Sequence, residues 1–365
     1  MRTSSYRGFT LVEIMVASAV LALFMVGILN LLDTSTKISQ VESELADTQE
    51  NVRFATYHIM RTARMIGGGG MPVAGANAGG NHWVSAGLIS NASSSSLMIP
   101  GYDQAITVLP GSDVLTLRGF FEISPLFTNP ATMWTGASQL TVFEKYIDGE
   151  PVNDLGSFTA GALPGRGLVF MGKGKYNTQE VTVSYTVGEI TSASLEGEAP
   201  NRRLVLDYGA GDDLWPDLNV DGAVYPPGTE TFRVGVLESY TYYVDERNVL
   251  MRLRITGDNA DPEPVAVNIG GLQVALGLDT TVGAADDGIS EITSWVNNPA
   301  DASAVMNAEV LAMRIAVLGR TTIRVPNWEE PIATFQVEDG TASGLERSAK
   351  WRRMQVVVNL RNYKF

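Results

Sequence analysis

From Phe9 to Leu32 the chain is apolar at nearly every position, and Glu13 is the only ionisable side chain in the run. Coiled as an α-helix, this run would be about 36 Å long, enough to cross a bilayer core. Beyond Asp33 the pattern changes. Ile38, Leu45, Val52, Ile59 and Ile66 recur at sevens, with Val41, Thr48, Ala55 and Ala63 on the same side. Lys37, Glu42, Glu44, Asp47, Glu50 and Arg53 occupy much of the rest. This is an amphipathic helix whose stripe needs another element to cover it. No proline interrupts the chain before Pro72, and the glycines at 67–70 end the pattern. Residues 9–66 therefore predict one helix about 87 Å long. Its first part, 9–32, belongs in lipid or among like helices, and its second part, 33–66, belongs against a folded head.

After the glycines the period shortens to two. Alternating or continuous apolar runs predict strands over Val114–Leu117, Gln139–Phe143, Gly167–Met171, Val181–Val187 and Arg203–Leu206. Further strands follow at Phe232–Val244, Val249–Ile255, Leu272–Leu278, Val310–Leu318, Ile332–Val337 and Met354–Leu360. Asp245-Glu246-Arg247-Asn248 separates two of them and reads as a hairpin connection. Residues 67–100 are rich in Gly, Ala, Ser and Asn without a strong period, which predicts a surface loop or ragged edge. With no internal repeat and no clear linker, residues 67–365 form one β-rich head, and the fold class is α+β.

Composition narrows the chemistry. The formal charge of −14 argues against nonspecific nucleic-acid binding by the whole body. There are no cysteines, so thiol catalysis, Cys-ligated zinc and disulfides are all excluded. Of the two histidines, His58 lies in the amphipathic helix and His82 precedes Trp83 in the Gly-rich stretch. No HExxH or GxSxG spacing occurs. Gly167 to Gly174 nearly copies a phosphate loop, but Gly174 replaces the hydroxyl that would hold Mg²⁺, and the intervening LVFM reads as a strand. Arg347, Lys350, Arg352, Arg353, Arg361 and Lys364 make the C-terminus basic, which fits a role within the fold or in subunit docking better than DNA contact. Asp217, Asn219 and Asp221, followed by Gly222, place three oxygen side chains at alternate positions, as in the first half of a calcium loop. Gly228 stands where that loop needs a bidentate acid, and the bland alternative is an Asx-turn. A second acidic cluster, Asp286-Asp287-Gly288 with Glu291, is weaker.

Glu13 is the chemical oddity. A carboxylate within a membrane helix costs about 3 kcal/mol on insertion scales and normally has a partner. The preceding MRTSSYRG is short and carries Arg2 and Arg7, so that end stays in the cytoplasm and the body is exported. Gly8 is the only obvious glycine break, and it precedes the apolar run, whereas a secretory signal's small-residue cleavage site would follow it. Cleavage there would leave the anchor in place and free a cationic amine on Phe9, four residues from Glu13. Its own N-terminus is one partner for the carboxylate. The other is the amine of a neighbouring subunit, displaced axially by one step.

Gly8-Phe9-Thr10-Leu11-Val12-Glu13 resembles the class III leader motif of type IV pilins and type II secretion pseudopilins. The resemblance implies cleavage between Gly8 and Phe9 by a membrane prepilin peptidase, N-methylation of Phe9, and a subunit-assembly role for Glu13. The leader is then residues 1–8. One departure is the lack of the mid-helix proline that major pilins often carry. Ser239–Ile255, Asn268–Thr280, Val310–Thr321 and Arg352–Asn362 resemble, in order, the C-terminal half of PilW-type minor pilins. That resemblance implies a pilin-like lollipop, in which the helix packs on a β-rich head. It also implies a subunit that primes pilus assembly near the filament tip, beside other minor pilins, the major pilin and a large tip adhesin. The implied location is the inner membrane, with the head periplasmic, and then the pilus tip at the cell surface. Two alternatives stand: a minor pseudopilin of type II secretion, and an adhesin or ligand-binding module whose surface is residues 67–230.

Overall fold

The computed structural model describes residues 10–67, 71, 73–77, 80–89, 92, 96–99, 102–121, 126–128, 139–147, 150–153, 155, 159–176, 179–199, 201–210, 232–256, 259–280, 291–297, 302–305, 308–322, 334–337, 340–343 and 348–360. One helix, α1 (Leu11–Ala63), precedes a body made of strands, so the fold is α+β. With 53 residues, α1 is about 80 Å long. It is shorter than the expected 9–66 at both ends. Thr10 caps the N-terminus in an extended conformation. At the other end Ile66 leaves the helix and bridges Gly119 of the body, and Gly67 turns the chain at φ 72°.

The principal strands are β1 (Ala86–Ile89), β2 (Val114–Gly119), β3 (Leu126–Thr128), β4 (Gln139–Phe143), β5 (Gly167–Tyr176), β6 (Gln179–Glu196) and β7 (Arg203–Ala210). They continue with β8 (Phe232–Val244), β9 (Val249–Thr256), β10 (Asn259–Val267), β11 (Ile269–Asp279), β12 (Ser294–Asn297), β13 (Glu309–Arg320) and β14 (Trp351–Asn359). All pairings are antiparallel. The larger sheet runs β10-β9-β8-β5-β6-β7-β4, and the smaller runs β12-β11-β13-β14. Strand β8 belongs to two neighbourhoods. Its first half pairs with β5 and β3, and its second half pairs with β9 and β2. At the changeover the buried Glu238 accepts from Arg166 Nη1 at 3.2 Å. The β8–β9 hairpin forms at the expected four residues. Asp245 accepts from the backbone N–H groups of Arg247 and Val249, and Asn248 takes a left-handed φ of 62°.

Two parts of the body differ from the sequence expectation. The described residues between 67 and 100 are woven into the core rather than looped over it. Met71, Val73, Val84, Ala86, Leu88, Ala92 and Ile99 are buried, and β1 pairs with β2. The apolar residues there come in short clusters such as Trp83-Val84, Leu88-Ile89 and Leu97–Ile99 among Gly, Ala, Ser and Asn, so no sustained period is visible. Strand β10 contains Pro262 and Pro264 and was not expected. It lies at the sheet edge, where a missing N–H costs no ladder bond. The segment resembling a phosphate loop lies on β5, as the LVFM run implied.

The helix meets the body only over its second half. Every residue from Leu11 to Gln40 is exposed, including Ile38, which the heptad spacing placed in the stripe. Val41 and Leu45 are half-buried, while Thr48, Val52, Ala55, Ile59, Ala63 and Ile66 are buried. Val52, Ala55, Ile59, Ala63 and Ile66 share one core with Leu272, Val274 and Leu276 of β11, Met313, Ile315 and Val317 of β13, and Tyr240 and Tyr242 of β8. Burying Val52, Ile59 and Ile66 contributes roughly 1.5–3 kcal/mol each. The approach is closest at Gly319, where an added Cβ would stand 2.2 Å from Val52 Cγ2 and 3.1 Å from Thr48 Cγ2. Polar contacts fix the point of departure. Thr48 Oγ1 donates to the carbonyl of Arg320 at 3.2 Å, and Glu44 Oε2 accepts from the Thr322 N–H at 3.2 Å. Higher up, the buried Tyr242 hydroxyl lies 2.8 Å from Thr62 Oγ1 and 3.1 Å from His58 Nδ1.

Two outcomes test this junction. Gly319→Ala should destabilise the detergent-solubilised chain by about 1–3 kcal/mol through overpacking, and Val52→Ala in the same chain should return part of the loss. Thermal unfolding followed by circular dichroism measures both, and unchanged melting of Gly319→Ala would remove the close approach as a constraint. The second outcome concerns pH. Burial, then the Arg252 and Arg61 charges, hold His58 below its ordinary 6.5, with Glu263 opposing. The unfolded chain therefore binds the proton more readily, so stability falls as pH drops below 6.5 towards the folded-state value. His58→Gln should flatten that part of the melting-temperature profile.

Candidate assembly site

The start of α1 is built by a four-residue reciprocal cap. Thr10 has φ −81° and ψ 153°, and its Oγ1 accepts from the Glu13 N–H at 3.2 Å. Glu13 Oε2 in turn accepts from the Thr10 N–H at 2.8 Å and from the Thr10 hydroxyl at 3.0 Å. The pair satisfies two of the donors that a helix N-terminus leaves open, and it places a negative charge at the positive end of the helix dipole. Thr10-Leu-Val-Glu13 is a legible Thr-x-x-Glu capping signal, a role for Glu13 that the ion-pair expectation did not include. Among the described residues, Glu13 engages only through Oε2. Oε1 is open on a fully exposed helix turn.

Gly8 and Phe9 lie outside the described residues. An amine freed on Phe9 would belong to the residue next to Thr10, whose N–H Glu13 already holds. The carboxylate is thus folded back towards the chain start by local bonds alone, with one oxygen free for a second partner.

Past this cap α1 presents apolar side chains on all sides. Leu11, Ile14, Leu21, Leu23, Phe24, Leu29 and Leu31 are more than half exposed. This is a helix long and apolar enough to cross a membrane. Its hydroxyls are satisfied within the helix: Ser18 donates to the Ile14 carbonyl at 2.8 Å, and Thr34 donates to that of Asn30 at 2.8 Å. The Ser18 hydroxyl, within the apolar stretch, therefore needs no water. A shallow groove lined by Val20, Leu23, Phe24, Gly27, Ile28 and Leu31 runs along one side. At Gly27 there is room on the helix surface for another helix to approach.

The remaining candidates fall elsewhere. Asp217, Asn219 and Asp221 lie outside the described residues, as do Asp286 and Asp287. Among the described residues no group of three acidic, His or Cys side chains has the arrangement to hold a metal. His58 is taken up by the helix–body junction, and His82 lies on the short strand Gly80–Trp83. Of the C-terminal cations, Arg352 and Arg353 are exposed on β14, while Arg347, Arg361 and Lys364 lie outside the described residues.

Comparison with known proteins bears on the N-terminus most directly. Among solved structures, a type IV-like pilin from Thermus thermophilus is similar at 15% identity and a TM-score of 0.22, over 55% of this chain and 87% of that one. No curated protein matches the chain. Residues 3–29 match the family model for the prokaryotic N-terminal methylation motif, so the chain carries that motif across its capping pair and into its membrane-length helix.

Proposed function

We propose that the protein is a PilW-type minor pilin of the type IV pilus, one that primes filament assembly. One observation carries the reading. The methylation motif of residues 3–29 runs directly into an exposed apolar helix whose other half is locked onto a β-rich head. A chain built this way can exchange lipid for neighbouring helices around residues 11–40 without disturbing the head. Prepilin peptidase cleaves between Gly8 and Phe9, and Phe9 is then methylated. The basic leader keeps the N-terminus cytoplasmic while the head is exported. In the assembled state the open oxygen of Glu13 meets the amine of an adjacent pilin. Other minor pilins, the major pilin and a tip adhesin are the partners.

A second reading, display of a ligand-binding surface by residues 67–230, is favoured by one feature. Leu140, Val142, Leu168, Ile190, Leu204 and Leu206 form a core of their own, separate from the one that holds the helix. Loss of surface filaments in a knockout supports priming, and loss of adhesion by intact filaments supports display.

Processing gives the first test. Intact-mass and N-terminal analysis of the membrane form should find a chain starting at a methylated Phe9. Replacing Gly8 with a bulky residue should block that step, and a mature chain that starts at Met1 or near residue 33 would overturn the reading.

Glu13 gives the second, because its two jobs separate by substitution. Glu13→Gln keeps an acceptor for the Thr10 N–H, as capping boxes allow, but it removes the charge. Removing one partner of a dry ion pair costs about 3–5 kcal/mol, so incorporation into filaments should fall at least roughly tenfold for both Glu13→Gln and Glu13→Val. Membrane levels should hold or rise as the insertion penalty disappears. Wild-type piliation with Glu13→Gln would leave the residue as a helix cap and nothing more.

A further inference from the structure

Strand β14 ends the smaller sheet on one side, and its nine residues pair with β13 in an unbroken register, without a bulge or a proline. The Leu360 N–H donates to the Leu311 carbonyl at 2.9 Å, and the Lys350 carbonyl accepts from the Thr321 N–H at 2.9 Å. These two bonds fix the alternation between them, so the even-numbered residues turn their backbone to β13 and the odd-numbered ones turn it outwards. Among the described residues, no backbone group bonds to Gln355, Val357 or Asn359 on that outer side. The other sheet edges are short or blunted. Strand β12 has four residues and β4 has five, while Pro262 and Pro264 remove donors from β10. The side chains of β14 also divide by face. Met354 and Val356 are half-buried against the main core, and Val357, on the opposite face, is 50% exposed. Arg352 and Arg353 make the first end of the strand basic, and Arg352 forms no ion pair among the described residues.

We infer that the β14 edge takes an added strand from a different protein, an extended apolar segment that ends in an acidic residue. Strand direction excludes a second copy. Arg320 and Thr322 lie beside Thr48 and Glu44, and Gly319 lies beside Val52, so β13 runs opposite to α1. Strand β14, antiparallel to β13, therefore runs the same way as α1. An antiparallel pair of two β14 edges would invert one copy, and two chains anchored in one membrane by the same end cannot meet so. A parallel pair would set the two Arg352–Arg353 ends side by side, which repels. The occupant is thus a foreign segment, antiparallel like the other strands of the body. Its first residue is apolar and lies opposite Val357, and its second is apolar and covers Val356. The third is polar beside Gln355, the fourth is apolar on Met354, and the sixth is acidic and faces Arg352. The outward N–H and C=O groups of Gln355, Val357 and Asn359 supply the ladder. The inference adds a partner surface to the filament-subunit reading and rests on it only for the common orientation of the anchored helices.

Photo-cross-linking of the full chain tests this. Gln355 is replaced by benzoylphenylalanine, cells and sheared filaments are irradiated, and the linked peptide is sequenced by mass spectrometry. The expected product is a link to a different protein, within a segment that has the stated order of apolar, polar and acidic residues. Val357→Pro removes one outward donor and no bond to β13, so melting of the detergent-solubilised chain should hold while the link falls at least about tenfold. Arg352→Glu should lower the link about threefold, and lysine in place of the partner's acidic residue should restore it. A synthetic peptide of the linked segment should bind the purified chain and lose binding to the Val357→Pro variant. If that variant does not fold, Arg352→Glu and its rescue decide. A link to a second copy or elsewhere in the same chain, a segment without that order, or a yield that survives the substitutions would overturn the inference. Chains present in filaments without any link from position 355 sink this inference and leave the filament role standing. Chains linked in membranes but missing from filaments, with filaments unaffected by a knockout, keep it and sink that role.

Discussion

Between Thr48 and Ile66 the helix lies so close to the smaller sheet that residue 319 has no room for a side chain. Close approach of this kind sets the axial position of the helix as firmly as it sets its distance, because Val52 sits opposite the one position in β13 that accepts it. Much of the architecture follows from that register. The departure point is fixed by Thr48 and Glu44 on the Arg320 and Thr322 backbone. Among the described residues, those from Leu11 to Gln40 are left without a partner in the body. The helix therefore has two environments along one rod. The upper half is solved within the chain, and the lower half must be solved by lipid or by other chains.

At the far end of the rod the chemistry is different. The cap made by Thr10 and Glu13 costs nothing in packing, since it uses a local hydrogen-bond pattern available to any helix. It orients a carboxylate towards the chain start and leaves one oxygen open. A lone buried charge would be prohibitive in an apolar bundle, whereas a half-satisfied one placed at a helix N-terminus needs only a single cation to complete it. The junction fixes where the rod begins its free run, and the cap presents the group that ends it.

How much of this was legible in the sequence varies with the kind of physics involved. The apolar run, the helix and Asp245–Asn248 were readable because each rests on local periodicity or turn chemistry. The long strands β8, β9, β11 and β13 were readable for the same reason. The strands of residues 74–89 and the edge strand β10 were not: Ala74, Gly75, Ala76 and Gly80 give no alternation of apolar and polar side chains, and Pro262 and Pro264 argue locally against a strand. Ile38 fits the heptad but is exposed, since the body ends before it. Gly319 carried no local signal at all. Its meaning lies in Val52, on a helix far away in sequence. The methylation motif was fully visible, whereas the four-residue cap inside it, though written as Thr10-x-x-Glu13, competes with the ion-pair role that a carboxylate in an apolar run suggests first.

Thr48 and Arg320, joined by a hydrogen bond, are separated by 272 positions in the chain. The first element made is thus completed by nearly the last, β13 and β14. If the chain is exported as proposed, the helix is anchored in lipid before the strands that cover its stripe have crossed. Until they arrive Val52, Ala55 and Ile59 have no sheet to rest on, and the half-made head holds an open apolar seam. Contacts of such long range form late. A subunit cannot acquire a fixed helix–head angle until its C-terminal strands have arrived. The helix–head angle therefore doubles as a record that β13 and β14 have been made and have folded into place.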